Sequence, residues 1–308
     1  MRAAFFRALA DLAARDDRVV LLTGDLGFMA AEGFRERFPA RFFNVGVAEQ
    51  NMVGLATGLA DAGLIPFCYS IVTFATLRPY EFIRNGPVHH GLPVRIVGMG
   101  GGLEYGLAGP SHHGLEDIAI MRALPGMSVF APADAAQAET AVAATAAVPG
   151  PLYLRLGKDD RTIVPGLEGR FAIGRLQTIA RGSDAAILAM GGIAPVAADV
   201  ARALGHLGVS ATVAVVASIV PPPLDDLVAV LRDHPLVVTL EAHGPVGGLG
   251  SLVAEAASTM ARHGRLERCA VGPSANSTTG SQRFLEARAG LSMDRLVARI
   301  IAVQESAA

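Results

Sequence analysis

An α/β chain made of two consecutive open, mostly parallel-sheet domains with helices on both faces is predicted by three features of the sequence. Short apolar runs alternate with helix-forming stretches along the whole length. Those runs are nearly continuous in Val, Ile, Leu and Ala instead of alternating with polar residues, the pattern of strands covered on both sides. A polar, glycine-bearing segment at 157–183 interrupts the alternation once, which divides the chain into a first unit at 1–160, a linker at 161–183 and a second unit at 184–308.

The elements follow in order. Residues 2–15 read as an amphipathic helix, and Val19 to Thr23 as a buried strand running into Gly24-Asp25-Leu26-Gly27. Helices near 48–62, 72–85, 116–123 and 134–146 then alternate with strands near 65–69, 94–98, 127–130 and 152–156. In the second unit Asp184 to Met190, Ser210 to Val216 and Leu236 to Glu241 read as strands, with helices near 194–207, 225–232, 247–262 and 293–303.

With 308 residues, 51% hydrophobic and 18% charged at a formal net charge of -2, the chain has enough apolar material for two cores. Its charge balance excludes a nucleic-acid or anionic-membrane binder as the default class. Cys68 and Cys269 stand far apart among apolar residues, so buried free thiols are expected and no metal spacing is present. No secretion signal is read in the first fourteen residues and no apolar run is long enough to span a bilayer, so a cytoplasmic location is expected.

Candidate site residues gather at strand ends, where open sheets bind ligands. Val45-Gly46-Val47-Ala48-Glu49-Gln50-Asn51 places Glu49 at a turn-to-helix junction, followed by small residues at Gly54, Ala56, Gly58 and Ala60. An acid in a first helical turn is favoured by the macrodipole alone. A tightly packed helix would, however, desolvate it, and a desolvated carboxyl suits proton chemistry. Asp25 sits in a turn that an Asp also fills for purely structural reasons. The aromatics between Tyr69 and Phe82 read as core by spacing, and Arg78 or Arg84 as local partners of Glu81 on a solvated helix face or a subunit contact. The glycine-rich 98–114 stretch lacks the Lys-Ser/Thr of a P-loop, and within it His113 is read as a surface residue. Glu241 and His243 look like a second site in isolation.

Taken together these segments resemble the transketolase family, over essentially the whole chain. Val45-Gly46-Val47-Ala48-Glu49-Gln50-Asn51 looks like the segment carrying the glutamate that faces the aminopyrimidine of thiamine diphosphate. The resemblance implies that Glu49 protonates the pyrimidine N1′, so that the 4′-amino group can deprotonate the thiazolium C2. Asp25 and Leu26 match an Asp-Leu pair beside the bent cofactor, and Ile71, Phe74 and Leu77 fall where family aromatics stack on the pyrimidine, only Phe74 being aromatic here. Gly109-Pro110-Ser111-His112 resembles the family's Gly-Pro-Thr/Ser-His, which makes His112 a candidate catalytic and substrate-binding residue, and Arg155 and Lys158 fall where a basic phosphate contact is placed. Glu241-Ala242-His243 is similar to a C-terminal-domain segment with a structural and interfacial role.

Departures are equally informative. Ala108 replaces a hydroxyl-reading Asp, Gly100 a phosphate-binding His, and Met29 a phosphate-binding Ser, so an ordinary sugar-phosphate substrate pair is not implied. The family's diphosphate-binding domain is missing from this sequence. The resemblance therefore implies a split enzyme: this chain as the C-terminal subunit of a transketolase-like transferase that moves a two-carbon ketol-type unit from a ketose or 2-oxo acid to an aldehyde or ketone. Thiamine diphosphate would lie between chains, Mg²⁺ would be held mainly by an N-terminal diphosphate-binding partner in an α2β2 assembly, and a contact between copies of this chain is expected. Two alternatives are the β subunit of a 2-oxo acid dehydrogenase decarboxylase and a non-catalytic scaffold paralogue.

Overall fold

The computed structural model describes residues 1–273 and 277–305, so the last three positions of the second unit lie outside the described residues. Among the described residues twelve strands form two sheets: β1 (Val19–Thr23), β2 (Phe42–Asn44), β3 (Ile65–Ile71), β4 (Arg95–Met99), β5 (Ser128–Phe130), β6 (Leu152–Leu156), β7 (Gln177–Ala180), β8 (Ala185–Met190), β9 (Ala211–Val215), β10 (Ser218–Val220), β11 (Leu236–Glu241) and β12 (Arg265–Cys269). The first sheet runs β10-β5-β6-β4-β3-β1-β2 and the second β12-β11-β8-β9-β7. All pairings are parallel except β10 on β5 and β7 on β9, both at sheet edges.

Every residue of β1, β3, β4 and β6 is buried, as expected for strands with helices on both faces. Successive side chains go to opposite sides. Leu22, Cys68 and Ile96 pack with Met52, Val53 and Ala56 of the helix Glu49–Asp61. Leu21, Phe67 and Val97 pack on the other side with Phe5 and Leu9 of the helix Arg2–Ala13.

Three segments differ from the sequence reading. The 161–183 stretch contributes β7 to the second sheet and so is more than a connector. β10, only three residues long, leaves the second unit to close the edge of the first sheet. The helix expected at 72–85 is broken into Val72–Thr76 and Tyr80–Ile83 by a turn at 77–79, because Pro79 has no N–H to donate and disfavours helical geometry in the residue before it.

Candidate active site

The loops after β1, β2 and β3 converge at one end of the first sheet. After β1, Thr23 Oγ1 bonds both the N–H and the C=O of Leu26 and closes a tight turn, with Asp25 held at φ 58°. Asn44, at the end of β2, ties two loops together. Its Oδ1 accepts from the backbone N–H of Asp25 at 3.1 Å and of Gly46 at 3.0 Å, while Nδ2 donates to Asp25 Oδ1 at 2.9 Å. Leu26 is half-buried against the core that contains Phe6 and Tyr69.

Gly46, at φ 72°, turns the chain so that the helix Glu49–Asp61 begins directly beneath these loops. Glu49 is its first residue, with a side chain only 1% exposed. Oε1 accepts from Ser70 Oγ at 3.0 Å, and Oε2 pairs with Arg78 Nη1 at 2.8 Å. A Cβ at position 24 would stand 3.3 Å from Glu49 Oε1, so Gly24 keeps that side of the carboxylate open.

Arg78 was not legible as a site residue. It lies in the turn forced by Pro79, and pairs with Glu49 instead of Glu81. Its guanidinium carbon sits 3.7 Å from the centroid of the Phe74 ring, in turn 4.9 Å from and edge-on to His112. His112 Nδ1 shares a hydrogen bond with Ser111 Oγ at 3.0 Å, and Thr73 Oγ1 donates to Ser111 O at 3.2 Å, anchoring the loop to the helix that carries Phe74. Burial, followed by the positive charge of Arg78 and the neighbouring His113, holds the His112 pKa below its ordinary value. His113, expected at the surface, is instead 2% exposed, and Ile71 is buried at the end of β3.

The two basic candidates separate. Arg155 is buried at the junction of the two units, where Nε donates to Asp117 Oδ2 at 2.9 Å and Nη2 to the carbonyls of Gly114 and Ala242 at 3.0 and 2.9 Å. Through Nε and Nη2 it braces that junction from inside. Lys158 remains exposed, its Nζ 4.7 Å from the Tyr105 ring, which lies 6.1 Å from His112. Glu104 accepts from the backbone N–H of Lys158 and fixes that turn, and burial pushes its carboxyl up to about 7. Gly100 has a physical reason: a Cβ there would collide with the ring carbons of Tyr105, so Tyr105 fills the space a longer residue would take.

Glu241 and His243 are both fully buried and bonded to nearby backbone groups. Glu241 accepts from the N–H groups of Leu249 and Gly250 at 2.7 and 2.8 Å and so caps the helix Leu249–Ala257, and His243 Nδ1 bonds the carbonyl of Gly244 at 2.8 Å.

The family pattern described as the transketolase pyrimidine-binding domain matches residues 1–162, and that described as the transketolase C-terminal domain matches residues 174–296. The chain belongs to the transketolase family. Among relatives, the 6-deoxy-6-sulfo-D-fructose transketolase subunit of a Clostridium species is 36% identical over 83% of this chain and 80% of its own length. An apulose-4-phosphate transketolase subunit of Phocaeicola vulgatus is 32% identical over 83% of each chain. A solved structure described as a split gene transketolase, inactive beta4 tetramer, superposes with a TM-score of 0.87 at 35% identity over 99% of this chain and 97% of that one.

Transketolases depend on thiamine diphosphate, and the residues present suit its pyrimidine half. Glu49 offers a buried carboxylate, Phe74 an aromatic face beside it, and Gly24 an opening that a side chain would close. Among the described residues no three His, Cys, Asp or Glu side chains are grouped to hold a metal ion, and no helix is long and apolar enough to cross a membrane.

Proposed function

We propose that this chain is the C-terminal subunit of a split transketolase-like transferase, moving a two-carbon ketol unit from a ketose or 2-oxo acid to an aldehyde or ketone. In this reading it works with a separate subunit that binds the diphosphate and its Mg²⁺. The observation that carries the proposal is the convergence of a buried Glu49, anchored through Oε1 by Ser70, with Phe74 and His112. When bound, thiamine diphosphate supplies a nucleophilic carbon for cleaving the bond next to a carbonyl.

Each residue then has a task. Ser70 fixes one carboxylate oxygen of Glu49, and Oε2, paired with Arg78 in this structure, is assigned to hold a proton toward the pyrimidine nitrogen. Phe74 and Ile71 shape an apolar wall, and Asp25 and Leu26 belong to the loop that borders it. Because Ser111 engages Nδ1, Nε2 of His112 is the nitrogen that meets a substrate oxygen and moves its proton. Lys158, exposed beside Tyr105, is assigned as the contact for an anionic group. The names of the two relatives, one sulfonated sugar and one phosphorylated sugar, both anionic, support that assignment.

Partner dependence is supported by the exposed apolar residues around the site. Phe28 (66%) and Met29 (92%) follow Asp25 and Leu26, Val47 (71%) precedes Glu49, and Leu77 adjoins Arg78; surfaces of this kind mark interfaces. An α2β2 assembly, contact between copies of this chain and a cytoplasmic location belong to the same reading. The test is calorimetric titration of thiamine diphosphate and Mg²⁺ into the chain alone and mixed with the product of the neighbouring reading frame. Tight binding in the mixture alone is expected; tight binding by the isolated chain overturns the split site. In the mixture Glu49→Gln should leave assembly intact and abolish exchange of the cofactor's C2 proton, and exchange at the unmutated rate would falsify the role given to Glu49.

A further inference from the structure

The Arg78 side chain makes two contacts at once: its edge hydrogen-bonds Glu49 Oε2 at 2.8 Å and its face lies 3.7 Å from the Phe74 centroid. A planar, delocalised cation bonded in its plane to a carboxylate and stacked on an aromatic ring copies the contact pattern of a protonated aminopyrimidine. Two planar groups cannot share the same carboxylate oxygen and the same ring face. We infer that Arg78 is an internal stand-in for the cofactor's pyrimidine ring, which holds the pocket formed by Glu49 and Phe74 until thiamine diphosphate displaces it. The inference rests on the assignment of Glu49 to the pyrimidine, made above.

Physical chemistry gives the pocket a reason to carry such an occupant. A carboxylate 1% exposed is costly without a positive partner, and Ser70 supplies only a neutral hydrogen bond. Arg78 supplies the charge, yet its own side chain is 42% exposed, so it leaves by rotating toward solvent without disturbing the core. Its backbone is in the 77–79 turn instead of a helix, so the side chain reaches Glu49 from the rim of the pocket. Occupancy by Arg78 lowers the fraction of molecules open to the cofactor, and the apparent affinity falls by that fraction.

The test uses the assembled enzyme, this chain with its diphosphate-binding partner, and calorimetric titration with thiamine diphosphate at fixed Mg²⁺. Arg78→Ala is expected to bind the cofactor about three- to tenfold more tightly than the unmutated enzyme. Arg78→Lys, which keeps the charge but loses the planar face, is expected between the two, and carries the test if the alanine variant does not fold. Thermal unfolding of the cofactor-free chain supplies a second readout. There Glu49→Gln and Arg78→Ala should be non-additive, and the coupling should vanish once cofactor is bound to the assembly. Weaker or unchanged affinity in Arg78→Ala, or coupling that persists with cofactor bound, overturns the inference and leaves the role of Glu49 standing. Failure of the unmutated assembly to bind thiamine diphosphate overturns both.

Discussion

His112 shows how a single side chain reports the charges around it. Its pKa is held down first by burial and then by Arg78 and His113, so the ring is neutral at pH 7 and gains a proton only below its ordinary range. If the neutral ring is the working form, the acid limb of the rate profile of the assembled enzyme falls below about pH 6.5. Removing the guanidinium in Arg78→Ala should raise the His112 pKa in the cofactor-free chain, where Arg78 stands beside it, and an NMR titration of the His112 ring measures that shift. The profile of kcat/KM against pH measures the acid limb itself; a profile with no limb in that range separates His112 from the pH dependence. At this scale Glu49 and His112 could be picked out as candidates because each belongs to a short, contiguous pattern. Arg78 was not, because its partner is 29 residues away in sequence and local helix spacing pointed to Glu81. The brace around Arg155 was hidden for the same reason: nothing in Leu154-Arg155-Leu156-Gly157-Lys158 reveals that Asp117, Gly114 and Ala242 come together around it.

Among elements, turns and caps decide what the strands deliver. Pro79 splits an expected helix and leaves Arg78 in the turn from which it reaches Glu49. In the second unit Glu241, at the end of β11, caps Leu249–Ala257 through two backbone N–H groups, although burial pushes its carboxyl up to about 6. Replacing it with Gln removes one of the two acceptors and turns an amide toward a donor. Glu241→Gln should therefore cost about 2–3 kcal/mol in thermal or urea unfolding, against little effect for an exposed carboxylate such as Glu168. Strands of the sheet interiors were legible as uninterrupted apolar runs. Edge strands were not: β10 has three residues, β7 is only partly buried, and β12 reads Arg265-Leu266-Glu267-Arg268-Cys269 because one of its sides has no neighbour to cover it.

Across the whole molecule a buried polar seam joins the two units. Asp117 Oδ2 accepts from Tyr153 at 2.7 Å and from Arg155 at 2.9 Å, Arg155 donates onward to Ala242, and Gly244 N–H donates to Leu115 O at 2.8 Å; at the exposed rim of the seam Arg122 pairs with Glu255 at 2.6 Å. Arg155→Met would leave Asp117 buried without its cation, a loss of about 3–5 kcal/mol measurable by denaturant unfolding. Lys158→Met should instead leave stability unchanged and raise KM for an anionic substrate. The opposite pairing of effects would return Arg155 to the substrate site. The α/β class and the division into two units were readable from the alternation of runs; the seam was not, since its members come from segments up to 133 residues apart.

β10 has a further consequence, for how such a protein is assembled from parts. It belongs by sequence to the second unit, yet lies along β5 as the outermost strand of the first. The first sheet is therefore finished only by chain that is synthesised after it, and its β5 edge stays bare until Ser218–Val220 arrive. A chimera that grafts a foreign second unit onto this first one inherits an obligation: it must offer a matching strand at that rim, or leave a row of backbone donors and acceptors open to any passing chain.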